Sequence, residues 1–259
     1  MADITNQRVH VSVNIEGTTS SSFLAELGTI YGNDRVLVYK LSHNKFIRLS
    51  EITLKPGQSL IKMGKDLLVN SPLFNNNTSH EKTSSPDQNM LFARKDLPAN
   101  TAAVHGHFTP SLFKDVFENP FFSIILKDPL ERMISLYDEW KLTKGDVDWR
   151  VVIPFDKKIK FIDFAVEESF CNFQSRSLGN KRLGDYDLVG VAKCQEGFIA
   201  QLKNKDWTGY VNQKHSSIRL DLPKYKDLEI TSNFITHFQE INQLDYSIYQ
   251  QAKEYMGYC

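Results

Sequence analysis

The chain has no surplus charge of either sign: 31 Lys and Arg balance 31 Asp and Glu, for a formal net charge of zero. Neutralising a phosphate backbone takes surplus cations, so no nucleic-acid partner is expected, although a local basic pocket stays open. No apolar run approaches the ~18–20 residues that span a bilayer, so no membrane span is expected. The stretch from Met1 to Arg8 is polar and lacks the apolar segment of a secretory signal. Cysteine is scarce: Cys171, Cys194 and Cys259, without CxxC spacing. That argues against a disulfide framework and against a zinc site, and points to a reducing, cytoplasmic setting. The pattern GxxxxGK[ST] is missing, which argues against hydrolysis of ATP or GTP on a phosphate loop. Lysine is missing from residues 1–39, where Arg8 and Arg35 are the only permanent cations.

What is present is an ordinary globular composition, 41% hydrophobic over 259 residues, enough for a sizeable core. No repeat or shift in composition divides the chain, so one domain over residues 1–259 is expected. Val9, Val11, Val13 and Ile15 alternate with polar residues and predict a strand over 8–15. The hydroxyl-rich turn GTTSSS follows, and Phe23, Leu24, Leu27 and Ile30 then recur at helical spacing. Residues 35–52 read as a hairpin turning at Ser42, His43 and Asn44. A short helix is predicted over 58–70, and the polar stretch 75–89 reads as a disordered loop. Residues 101–108 predict a strand running into a loop, and 110–118 a helix. The apolar run 121–127 predicts a strand buried on both faces, and 186–192 another. Asp128 and Pro129 are a helix N-cap and first position, with apolar residues recurring through Trp140. Helical patterns also cover 159–168, 171–178, 195–204 and 232–256. Strands alternating with helices predict an α/β fold around a mainly parallel sheet.

Three segments carry candidate chemistry. The first is strand, turn, helix at Gly17, Thr18, Thr19 and Ser20. Backbone N–H groups at a helix start attract an anion, and the hydroxyls add donors. An ordinary helix cap is the competing reading. The second is residues 126–140, where Lys127 ends a buried strand and Arg132 and Ser135 are neighbours on the following helix. In open α/β sheets ligands bind at the carboxyl ends of strands, so a cation and a hydroxyl converging there suit an anion. The third is His105-Gly106-His107. No third ligand with metal spacing accompanies the pair, so no metal is expected. One histidine suits general-base work on a hydroxyl, and the other reads as a hydrogen-bonded structural residue.

These segments together resemble the PAPS-dependent sulfotransferases of the carbohydrate type, the family that includes heparan sulfate 2-O-sulfotransferase. PAPS is 3′-phosphoadenosine 5′-phosphosulfate. The family's phosphosulfate loop, PKTGGTS, has its counterpart in Val13 to Ser20. Its RDPxxRxxSxY motif is similar to Lys127-Asp128-Pro129-Leu130-Glu131-Arg132-Met133-Ile134-Ser135-Leu136-Tyr137. Gly106-His107-Phe108 resembles its GHF segment. Asn172, Gln174, Ser175, Arg176 and Leu178 resemble an N-x-Q-[ST]-R-x-L segment, 189–202 a VGxTExxDxxLxxL stretch, and 240–252 a closing ExNxxDxxLYxxA helix. The resemblance covers nearly the whole chain in the right order.

It implies a P-loop-like three-layer α/β domain that transfers a sulfuryl group from PAPS to a hydroxyl of a carbohydrate or small-molecule acceptor, releasing PAP. Gly17, Thr18, Thr19 and Ser20 would cradle the 5′-phosphosulfate. Lys127 and Ser135, with Arg132 beside them, would hold the 3′-phosphate. His107 would be the catalytic base and His105 would touch the acceptor. The segment Asn212 to Ser217 would supply a late nucleotide contact. Two departures stand out. The family's loop lysine falls on Asn14, which can donate only a neutral hydrogen bond to the leaving group, and Glu16 replaces a loop glycine. The family's motif arginine is Lys127, which keeps the charge and loses the bidentate fork. These departures leave an alternative, a catalytically degenerate nucleotide- or glycan-binding protein on the same fold. A phosphotransferase on a similar sheet ranks last.

Overall fold

The computed structural model describes residues 8–18, 21–41, 44–52, 97–113, 115–147, 149–151, 153–204 and 227–255, with only the backbone of Ser21 and Ser22. The helix expected over 58–70, the loop 75–89, Thr19, Ser20, the segment 212–217 and Cys259 lie outside these residues.

The alternating valines near the start form strand β1, His10–Val13, and the helical spacing after the turn forms α1, Ser21–Tyr31. Strands β2, Val36–Lys40, and β3, Lys45–Arg48, pair antiparallel as the expected hairpin. Strand β4 is Ala103–Gly106 and β5 is Phe121–Leu126. Helix α2, Pro129–Thr143, leads to two short helices, α3 Phe161–Ala165 and α4 Phe173–Ser177. Strand β6, Leu188–Val191, then feeds α5, Gln195–Asn204. The C-terminal pattern is two helices, α6 Ser232–Ile241 and α7 Gln243–Tyr255.

The strands form one sheet in the order β3-β2-β4-β1-β5-β6, parallel except for β3. Helices flank it, giving a three-layer α/β architecture. All six residues of β5 are buried, because β1 and β6 flank it and both its faces are covered. On one face Phe23, Leu27, Val38, Ile125 and Phe198 pack together. On the other, Val13, Val104, Ile124, Phe108, Phe173 and Tyr249 pack together. A third cluster joins α2 to α3 and α6 through Trp140, Phe164 and Phe238. Each such side chain contributes about 1.5–3 kcal/mol of burial. Among the described residues no helix is long and apolar enough to cross a membrane.

Two expectations are corrected. Among the described residues of 110–118 the helical turn is a 3-10 turn, Pro110–Phe113, and Leu112 and Val116 donate three residues back, to Thr109 and Phe113. Cys194 is disulfide-bonded, whereas Cys171 is a free thiol, so the set is not three reduced cysteines.

Candidate functional site

The connection from β1 leads towards β2 on one side of the sheet, and the connection from β5 leads to β6 on the other. β1 and β5 are neighbours, so their carboxyl ends form the crevice where the topology reverses. Residues from separate strands meet there. Lys40 ends β2, His107 follows β4, Asn14 follows β1 and Lys127 follows β5.

Lys127 is half-buried, and its ammonium donates to the Ser135 hydroxyl at 2.7 Å and to the Gly17 carbonyl at 3.3 Å. One cation thus ties the β1–α1 turn to α2, and two segments far apart in sequence become one cradle. Burial pushes the Lys127 pKa down, with Arg132 and Lys193 acting the same way, against Glu131 and Asp128. A poorly solvated ammonium of this kind gains from an anion. Ser135 passes its own proton to the Glu131 carbonyl at 3.0 Å. Asp128 caps α2 by accepting from the N–H groups of Leu130 and Glu131 at 3.0 and 3.1 Å, as the sequence leads one to expect.

Gly17 has φ 77, and a Cβ there would meet Leu136 Cγ at 3.0 Å and the Arg132 carbonyl at 3.1 Å. The residue is needed for its conformation and for close packing on α2. Thr18 is buried, and its hydroxyl proton is turned inward onto the Ile15 carbonyl at 2.8 Å. Arg132 is only 1% exposed and reaches the turn from beneath, donating Nη1 to the Glu16 carbonyl at 3.3 Å. Its Nε has no hydrogen-bond partner among the described residues. Arg132 thus supports the turn from the core.

His105 and His107 have separate environments. His105 is 4% exposed, bonded through Nδ1 to Ser12 Oγ at 3.0 Å, with its ring 5.5 Å from Phe23 of α1. Burial, together with His107, His10 and Lys40, lowers its pKa to about 3. This ring is a neutral part of the core beside α1. His107 lies past the strand end. Its Nδ1 donates to the Asn14 carbonyl at 3.2 Å, and its Nε2 accepts from Asn14 Nδ2 at 3.4 Å. A carbonyl can only accept and an amide N–H can only donate, so the neutral ring carries its proton on Nδ1 and a lone pair on Nε2. No group of three or more His, Cys, Asp or Glu among the described residues could hold a metal ion.

Glu16, in the turn after β1, is paired with a base. Its carboxylate accepts from Arg150 N at 3.0 Å, Nε at 3.2 Å and Nη2 at 3.2 Å. Burial would raise its pKa, but Arg150 and His107 outweigh this and hold it at about 2. Arg150 is itself fixed by Ser177 Oγ at 2.6 Å and by the Phe173 ring at 4.6 Å. No local pattern marks this partner, because it lies 134 residues away. Glu139 on α2 was also missed. Burial and then the Glu16 charge raise its pKa to about 7, against a hydrogen bond from Trp149.

The search against protein-family models found no match, and neither did the search of curated proteins. The fold and the site geometry therefore carry the functional argument.

Proposed function

We propose that the chain transfers a sulfuryl group from PAPS to a hydroxyl of a carbohydrate or small-molecule acceptor. The observation that carries this reading is Lys127, whose ammonium joins Gly17 and Ser135 at the crevice where the sheet topology reverses. The motif order that resembles the sulfotransferases meets there, with His107 beside Asn14. The donor set fits a phosphate-rich nucleotide. Lys127 supplies a desolvated cation, Ser135 a hydroxyl that can turn its proton from Glu131 to a ligand, and the turn after β1 a helix start. The Glu16 carboxylate is paired with Arg150, so it opposes a bound anion less than a lone carboxylate would.

In this reading Lys127 and Ser135 hold the 3′-phosphate, and the turn at 17–20 holds the 5′-phosphosulfate. His107 Nε2 takes the proton from the acceptor hydroxyl as its oxygen attacks sulfur in line. The bond from sulfur to the bridging oxygen breaks, and PAP leaves with the electron pair. Asn14 supplies one neutral donor near that oxygen where a lysine is expected.

A second reading, a nucleotide- or glycan-binding protein without turnover, is favoured by Asn14 and by the inward-facing Thr18 hydroxyl. Incubation with PAPS and a panel of hydroxylated acceptors separates the two readings. Acceptor-dependent PAP release that is lost in His107→Ala supports transfer. PAP binding without release supports the second reading.

A further inference from the structure

Glu16 has no counterpart in the resemblance, which calls for glycine, yet it is among the most firmly held side chains of the site. It is 2% exposed, takes three bonds from Arg150, and its Oε1 lies 3.6 Å from His107 Nδ1. Nδ1 therefore faces two groups that can only accept, the Asn14 carbonyl and the Glu16 carboxylate. Both oppose a lone pair at Nδ1, and so leave the lone pair at Nε2.

We propose that Glu16 is a positioning residue for His107: it keeps the proton on Nδ1, and its charge stabilises the imidazolium that forms when Nε2 takes a proton. Arg150 acts as the clamp that fixes the carboxylate at that distance. The inference rests on reading His107 as the base and deepens it, because it assigns the base a counter-ion supplied by this chain's own departure from the family pattern. A fixed carboxylate behind the imidazole does this work wherever a histidine must both take and return a proton. Glu16 does not compete for that proton, since Arg150 holds it ionised at any neutral pH. Among the described residues, the titratable groups acting on the pair and its neighbours include Arg150, Glu139 on α2, which feels the Glu16 charge, and His105 on β4, neutral and buried, which Lys40 at the end of β2 also influences. Asn14 Nδ2 opposes a proton on Nε2, so the amide must turn its oxygen to the imidazolium.

The test is side-chain nitrogen NMR of the full chain, following His107 against pH in the absence of any nucleotide. The His107 signal is assigned by its loss in His107→Gln. In the wild type the neutral ring is expected with hydrogen on Nδ1. Glu16→Gln is expected to shift the His107 titration to lower pH, and Arg150→Gln to shift it to higher pH. Opposite signs from the two partners of one ion pair are not what a merely structural role produces. A neutral ring with hydrogen on Nε2 in the wild type overturns the proposal, as does an unchanged titration in Glu16→Gln. Should Glu16→Gln fail to fold, Arg150→Gln decides alone, and an unchanged titration there overturns it. These readouts need no PAPS. Loss of sulfuryl transfer would sink the function proposed above and leave this result standing, and the reverse also holds.

Discussion

Gln174 grips Lys127 by both of its backbone groups: Oε1 accepts from the Lys127 N–H at 3.0 Å and Nε2 donates to its carbonyl at 2.8 Å. The grip is anchored from behind. Asp245 of α7, fully buried, accepts from the N–H groups of Gln174 at 3.0 Å and Ser175 at 2.7 Å. Asn172, at φ 51, donates to the Ile241 carbonyl and takes the Asn242 amide oxygen on its own N–H. Two sequence motifs some 70 residues apart are thus one latch, and its working end sets where Lys127 leaves the sheet. Replacing Gln174 by Ala strands two backbone groups and is expected to cost about 2 kcal/mol. PAP affinity should fall with it, although Gln174 has no assigned contact with the nucleotide. Denaturant unfolding and calorimetry on the same samples check both, and unchanged PAP affinity would remove Gln174 from the account.

Lys127 should dominate anion binding. Hydrogen bonds involving a charged group are worth about 1.5–3 kcal/mol, so Lys127→Met should weaken PAP about 10–100-fold. Lys127→Arg keeps the charge and restores a bidentate fork, and should bind PAP at least as tightly as the wild type. Ser135→Ala should give a smaller loss than Lys127→Met. Titration of the three variants with PAP checks the order.

Asn14 is where the sequence departs most from the chemistry it resembles. A missing donor to developing charge typically costs about 10²–10³ in rate. Asn14→Lys should therefore raise PAPS turnover by about that factor, measured as PAP released per enzyme. Unchanged turnover would mean that another group already stabilises the leaving phosphate.

Stability should peak near pH 7, from two opposing effects. His10 and His105 have pKa values lowered to about 3, each chiefly by burial. Unfolding lets them take protons below their usual 6.5, so their contribution is full above about pH 6.5 and is lost as pH falls towards 3. Glu139 acts oppositely, because its pKa is raised to about 7 from the usual 4.5 by burial and then by Glu16. The folded state binds that proton more tightly, so stability falls as pH rises from about 4.5 to 7, by at most about 3 kcal/mol. Glu139→Gln should abolish the alkaline loss and leave stability at pH 4 nearly unchanged. Denaturant unfolding across pH 4–8 checks this, and an unaltered profile in the variant would contradict it.

The residues that were legible in the sequence are those whose signals are local. Asp128 and Pro129 announce a helix start within two positions, and Val9 to Ile15 announce a strand by alternation. The run 121–126 announces a doubly covered strand because both faces are apolar. Lys127 and Ser135 could be brought together because a strand end leads directly into a helix start there. Arg150 could not be found this way, because its tie to Glu16 crosses most of the chain and leaves no periodic trace. His105 and His107 look alike in sequence and differ only because one faces α1 inside β4 and the other lies beyond the strand end. The 110–118 segment has helical spacing, yet its backbone follows shorter turns that lay Phe113 and Phe117 against the sheet face.

The most direct test of the central claim is calorimetric titration of the purified chain with PAP, with ATP as the control. The account expects saturable binding of PAP, weak or no binding of ATP, and PAP binding weakened about 10–100-fold in Lys127→Met. Absence of PAP binding to the wild type, or equal binding of ATP, would contradict it.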